Sequence, residues 1–264
     1  MELKYKKLFL FDIDGTVSVG NKFIEGAKEL LEYISQSGRK YIFITNNSTK
    51  SVSDYILKFS QMGLKTTKYN FVTAASAAVK YIRNKYKNGK IYTIGTKSFV
   101  AELKKGGVNV IEEFDEDTVC VLVGFDNELT YKKVETACRI LSLTNADYAA
   151  TNPDLVCPAS FGFIPDCGSI CRMINEAVKR EPVFIGKPES LIADICLENT
   201  GVTKDETVIV GDRLYTDILL GVKNGIDTVA VFTGETNAEE ISLSNYKPEY
   251  VFNSVKELFE LIKN

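Results

Sequence analysis

Two aspartates, Asp12 and Asp14, follow the apolar run Leu8–Phe11. On an extended chain they leave from the same side, with Ile13 opposite. Carboxylates crowded at the end of a buried strand raise each other's pKa unless a cation lies between them. Three more clusters end apolar runs. Thr45-Asn46-Asn47-Ser48 offers hydroxyl and amide donors, and Lys187 stands between Gly186 and Pro188. The stretch Gly211 to Asp217 reads GDRLYTD and supplies Asp212 and Asp217. Taken singly, each has an ordinary explanation: an Asx turn or helix cap for the acids and amides, a solvated side chain for the lysine. Taken jointly, four acids, a threonine and a lysine at strand ends suit the transfer of a phosphoryl group. One carboxylate attacks phosphorus. A second carboxyl protonates the leaving oxygen and then deprotonates water. A hard cation held by oxygen, for which magnesium fits, offsets the charge. Lysine and threonine donors hold the equatorial oxygens.

The elements that must position these groups alternate in type. Leu8–Phe11 predicts a buried strand, and Glu25 to Ser35 a helix with Ala27, Leu30, Leu31 and Ile34 on one face. Tyr41–Thr45 predicts a strand, and Ser51 to Met62 a helix. The last third reads alike: strands at Val183–Gly186, Thr207–Gly211 and Thr228–Phe232, and helices at Pro188–Asn199 and Thr216–Asn224. Ser254 and Glu257 have the spacing of a capping box opening a final helix through Ile262. Strands alternating with helices imply a doubly wound parallel sheet, whose ligands bind at the carboxyl ends of the strands. The middle predicts strands at Ile91–Gly95, Val108–Ile111, Val119–Gly124 and Tyr148–Thr151. Its predicted helices are Ala77–Lys87, Ser98–Lys105, Tyr131–Leu143 and Ser169–Lys179. Composition alone leaves it either a continuation of one sheet or an inserted domain.

The 264 residues carry 32 Lys and Arg against 35 Asp and Glu, a net charge of −3. That balance argues against nucleic acid as the main partner, because such binding needs a clustered basic surface. No apolar run approaches the roughly 18–20 residues of a membrane span, and the N-terminus does not read as a signal peptide. The expected location is the cytoplasm. Histidine is absent, which removes Ser-His-Asp and Cys-His mechanisms and His-ligated zinc. None of the six cysteines forms a C-x-x-C pair, so buried reduced thiols are expected rather than zinc or a disulfide framework.

These motifs together resemble the haloacid dehalogenase (HAD) superfamily of aspartate-nucleophile phosphatases. DIDGT at Asp12 to Thr16, Thr45-Asn46, Lys187 and GDRLYTD at Gly211 to Asp217 appear in the family's order. The middle is similar to the large α/β cap of the NagD-like and 4-nitrophenylphosphatase subgroup, through Ala150-Thr-Asn-Pro-Asp154, Gly162-Phe-Ile-Pro165 and Gly168-Ser-Ile170. The resemblance implies a doubly wound HAD-like Rossmannoid core, residues 1–76 plus 182–264, with an α/β cap inserted at 77–181. The cap is expected to open and close on hinges near Ala74–Ala77 and Arg180–Pro182.

By the same resemblance Asp12 is the expected nucleophile and a magnesium ligand. Asp14 is the expected general acid/base, binding the metal through its carbonyl. Thr45, the Asn46 backbone and Lys187 are expected to bind phosphate. Asp212 is the expected third metal ligand, with Asp217 a nearby acid supporting it or a metal-bound water. Asn152 and Asp154 are candidates for substrate-facing cap residues, and a Pro-centred turn explains them as well. Asp166-Cys167 departs from the glycine found in many relatives, so no relative's specificity is transferred. The expected function is magnesium-dependent hydrolysis of a small phosphomonoester, of nucleotide or sugar phosphate type, through an aspartyl-phosphate. Proteins and polynucleotides are poor substrates under such a cap. A phosphomutase or phosphotransferase and a silent phosphometabolite binder are the rivals. A dehalogenase has no alkoxide to protonate, and Asp14 counts against it. Nothing in the residue pattern compels a homodimer, although relatives form them.

Overall fold

A computed structural model describes residues 1–159 and 161–264. The chain divides into two compact units. The first comprises Met1–Thr45, Val52–Val72 and Lys187–Asn264, and the second Asn46–Ser51 and Thr73–Gly186. The second thus begins and ends a few residues outside 77–181, and it includes a short segment after Thr45.

A six-stranded sheet centres the first unit, in the order Tyr250–Phe252, Asp227–Val231, Thr207–Gly211, Leu8–Phe11, Lys40–Thr45, Phe71–Thr73. Leu8–Phe11 pairs in parallel with both neighbours, Leu8 opposite Thr207 on one side and Lys40 on the other. All four of its residues are buried. A central parallel strand is covered on both faces, which explains its unbroken apolar run. The chain winds from this strand first toward Lys40–Thr45 and later toward Thr207–Gly211. The order therefore reverses here, and the crevice beyond the strand ends is the natural ligand site of an open α/β sheet.

Helices supply the covering. Ala27–Gln36 buries Ala27, Leu30, Leu31 and Ile34. Val52–Gln61 buries Tyr55 and Phe59, and the Phe59 ring stacks on Phe43 at 4.6 Å between centroids. Val255–Lys263 buries Val255, Leu258 and Ile262. The capping box expected there takes another form: Ser254 accepts from the Lys256 N–H, and Glu257 reaches back to Asn253. Several elements were not expected, among them the strands Phe71–Thr73 and Tyr250–Phe252 and the helix Ala238–Leu243. Ser18–Val19 and Lys22–Phe23 form a small antiparallel hairpin. The segment read as one helix from Thr216 opens as a π-helical turn, Leu214–Ile218, before the helix Leu219–Asn224.

The second unit has its own parallel sheet, in the order Val183–Phe184, Asp147–Ala150, Thr118–Val123, Lys90–Ile94, Val110–Ile111. The Val183–Gly186 run, read with the last third of the chain, thus pairs in this sheet, Val183 opposite Ala149. The helices are Ala74–Tyr86, Lys97–Lys105, Tyr131–Leu143 and Cys167–Val178. Val156–Ala159 pairs antiparallel with Gly162–Pro165. A separate apolar core, including Val121, Val123, Ile140, Tyr148 and Ile174, holds this unit together. No helix among the described residues is long and apolar enough to cross a membrane.

Candidate active site

Three adjacent strands of the first unit end in chemistry. Leu8–Phe11 delivers Asp12, whose N–H continues the ladder to the Val210 carbonyl at 2.9 Å. Lys40–Thr45 ends in Thr45, which is buried. Thr207–Gly211 delivers Asp212, and the π-helical turn beyond it brings Asp217 back toward the strand. Its Oδ2 accepts the Arg213 N–H at 3.2 Å.

Lys187 joins these ends. Its ammonium, 2% exposed, donates to Asp12 Oδ1 at 2.5 Å, to Asp217 Oδ1 at 2.7 Å and to the Ile44 carbonyl at 3.2 Å. Asp212 is fixed separately. It accepts from the Thr16 hydroxyl at 3.1 Å and from the Glu235 N–H at 3.0 Å. Glycines line the cluster because nothing larger fits. A Cβ on Gly234 would lie 1.8 Å from Asp212 Oδ2, one on Gly15 2.5 Å from the same atom, and one on Gly211 2.3 Å from the Asp217 Cβ. Gly15 also holds φ +94°, a backbone state that side chains disfavour.

Charge in this cluster is unbalanced. Burial pushes the Asp12 carboxyl well above the aspartate range; Lys187 opposes that rise, while Asp217 and Asp212 add to it. Burial and then Asp217 push Asp212 up to about 6. Burial alone would pull Lys187 down, but the facing Asp12 and Asp217 carboxylates hold it above the ordinary lysine value. Asp12, Asp212 and Asp217 each offer an oxygen within 4.8 Å of the others. Three acids around one ammonium leave surplus negative charge, and all the candidate donors are oxygens. That donor set fits a hard divalent cation such as magnesium. Asp217, expected behind Asp212, stands in the cluster itself.

Asp14 lies apart from this buried group. It sits on the turn after Asp12, with its side chain 48% exposed and Lys58 Nζ 3.3 Å from its Oδ1.

The remaining candidates belong to the second unit. Asn46 donates through Nδ2 to Asp154 Oδ2 at 3.1 Å, and Asn152 Nδ2 donates to the Asn46 carbonyl at 2.7 Å. Asn152 and Asp154 are 0% and 2% exposed. Each bonds Asn46 in this structure. Asp166 caps the helix Cys167–Val178, accepting the Cys167 N–H, and Cys167 is buried behind it. The unusual Asp166-Cys167 pair thus shapes the helix start.

Thr16, Gly234 and Lys58 escaped the sequence reading. Thr16 was inside a recognised motif without a role. Lys58 carried a signal: it lies three residues after Tyr55 and one before Phe59, on the apolar side of its helix. Gly234 carried none, because its neighbour Asp212 is distant in sequence.

The chain is similar to known proteins over nearly its whole length. The haloacid dehalogenase-like hydrolase family matches residues 9–109, and a second HAD-hydrolase-like description matches residues 184–258. An acid sugar phosphatase of Staphylococcus haemolyticus is 33% identical over 263 residues, 99% of both chains. The crystal structure of a 4-nitrophenylphosphatase from Thermotoga maritima superposes with a TM-score of 0.93 at 34% identity, covering 98% of each chain. NagD from E. coli K-12 superposes with a TM-score of 0.86 at 30% identity, covering 96% of this chain and 98% of that one.

Proposed function

The chain belongs to the haloacid dehalogenase-like hydrolases and is a phosphatase of their NagD-like branch; from that premise we propose that it hydrolyses small phosphate monoesters through a phosphoryl-aspartate on Asp12, with magnesium. The acid sugar phosphatase among its relatives puts sugar phosphates ahead of nucleotides as the substrates to test. The observation that carries the reading is the Lys187 bridge between Asp12 and Asp217, inside an acid cluster whose charge it does not balance.

The residues divide the work. An Asp12 oxygen forms a bond to phosphorus as the ester P–O bond breaks. Asp14 gives its proton to the departing oxygen, then takes one from the water that attacks the phosphoryl-aspartate. The products are the alcohol, inorganic phosphate and a regenerated Asp12. Lys187 orients Asp12 and, with Thr45 and the Asn46 N–H, holds the phosphoryl oxygens. Asp12, Asp212 and the Asp14 carbonyl, with Asp217 in support, would hold magnesium, which would supply positive charge where the phosphoryl group carries its negative charge. Asn152 and Asp154 hold Asn46 in place. We locate the enzyme in the cytoplasm, in keeping with cysteines that form no disulfide among the described residues, and take its partner to be the small-molecule substrate rather than a nucleic acid.

Phosphate release from a panel of sugar phosphates, nucleoside monophosphates and 4-nitrophenyl phosphate tests this, with magnesium and with EDTA. Release that needs magnesium and vanishes in Asp12→Asn is the expected result. A folded Asp12→Asn protein with full turnover overturns the nucleophile assignment. No release from any member, with metal present, overturns the hydrolase reading in favour of a transferase or a silent binder.

A further inference from the structure

Lys58 places a charge where charge is costly. It lies on the helix Val52–Gln61 between Tyr55 and Phe59, which are fully buried, and is itself 8% exposed. A lysine on that face loses hydration that only specific partners can offset. Its ammonium donates to Asp14 Oδ1 at 3.3 Å and Ser18 Oγ at 3.2 Å, and lies 5.9 Å from the centroid of the Phe59 ring. Asp14 and Ser18 belong to one tight turn. Within it the Gly15 N–H donates to the Ser18 carbonyl at 2.9 Å, and the Ser18 N–H donates to the Ile13 carbonyl at 3.0 Å. Ser18 then opens the small hairpin and is fully buried.

Without a partner, a half-exposed aspartate samples several staggered conformations. Few of them aim its carboxyl at a reacting oxygen. The ammonium engages one Asp14 oxygen and the base of the hairpin together. We propose that Lys58 is a positioning residue for Asp14, holding it so that its second oxygen faces the bond being broken. The proposal rests on Asp14 serving as the proton donor and acceptor. Lys58 itself touches no reacting atom. It acts through geometry, and small misplacements of a reacting group can cost on the order of 10²-fold in rate.

The chemistry of the leaving group separates this role from that of a structural strut. A sugar alkoxide is a poor leaving group and needs a proton as the P–O bond breaks. A 4-nitrophenolate is a stable anion and leaves without one. Loss of the donor's position therefore slows the alkyl ester selectively, whereas loss of a strut slows both esters alike. The quantity to compare is kcat/KM, which covers the steps through P–O cleavage, on glucose 6-phosphate and 4-nitrophenyl phosphate with saturating magnesium.

Asp14→Asn is expected to lower kcat/KM on the alkyl ester by about 10²-fold or more, and on the nitrophenyl ester far less. Lys58→Met is expected to follow the same pattern with a loss of about 10-fold, and Lys58→Arg to recover most of it. Lys58→Gln, polar but uncharged, carries the comparison if the methionine variant does not fold. Equal losses on both esters, or none, in the Lys58 variants overturn the positioning role while Asp14→Asn stays selective. A non-selective Asp14→Asn overturns the acid/base reading, and the Lys58 proposal falls with it.

Discussion

Lys187 Nζ stands 2.5 Å from Asp12 Oδ1, and the same ammonium reaches Asp217 at 2.7 Å. One buried cation therefore serves two buried anions. Removing it leaves both without a counter-charge, a change that typically costs about 3–5 kcal/mol. Lys187→Met should lose activity and lower unfolding free energy on that scale in urea titrations. Adding Asp217→Asn should restore part of the stability without restoring turnover. Simple additivity of the two changes would show that the residues are not coupled.

Asp212 makes metal-free stability depend on pH. Its carboxyl moves from the ordinary 3.8 to about 6, through burial and then Asp217. A carboxyl whose folded pKa exceeds its unfolded value binds more protons folded than unfolded. Its contribution to stability therefore falls as pH rises from about 4 to about 6, and stays low at neutral pH. That span corresponds to about 3 kcal/mol. Metal-free Asp212→Asn should gain on wild type as pH rises from 5 to 7.5, and magnesium should stabilise wild type more than the variant. A gap that narrows with rising pH contradicts the assignment.

Gly234→Ala should act on the metal rather than on the fold at large. The added methyl would sit 1.8 Å from Asp212 Oδ2, so the carboxylate must turn away. An approximately 10-fold weaker magnesium dependence of activity is expected, in line with losses at residues that orient ligands. Unchanged magnesium dependence would mean that Asp212 is not a ligand, or that the loop yields instead.

Asn152→Ala should reveal itself as a stability change. The Asn152 amide is fully buried and donates to the Asn46 carbonyl at 2.7 Å. Losing it leaves a buried acceptor unsatisfied, at about 1–3 kcal/mol. Lower thermal stability with a similar spread of KM values across sugar phosphates is expected. A changed substrate ranking at unchanged stability would restore the substrate-facing role.

The strands that carry Asp12, Thr45 and Asp212 were legible because central parallel strands bury both faces and read as unbroken apolar runs. Val183–Phe184 shows the limit of that signal. An apolar run announces a buried strand, not its partner, and only pairing with Ala149 and Ala150 places it in the second sheet. The hairpin strands Ser18–Val19 and Lys22–Phe23 were illegible because two residues carry no periodicity. The π-helical turn was hidden for another reason. Leu214–Ile218 has helical spacing, and nothing local marks the wider turn in which Asp217 meets Lys187. Asn152 and Asp154 shared a motif that left a substrate-facing role and a Pro-centred turn both open, and nothing local in it announced their burial around Asn46.

The glycines around the acid cluster also bear on how this chain diverges. Gly15, Gly211 and Gly234 each stand where one methyl group would collide with a carboxylate side chain. Every amino-acid change one nucleotide away from a glycine codon introduces a Cβ. Any substitution at these three positions therefore presses on an acid side chain before it does anything else.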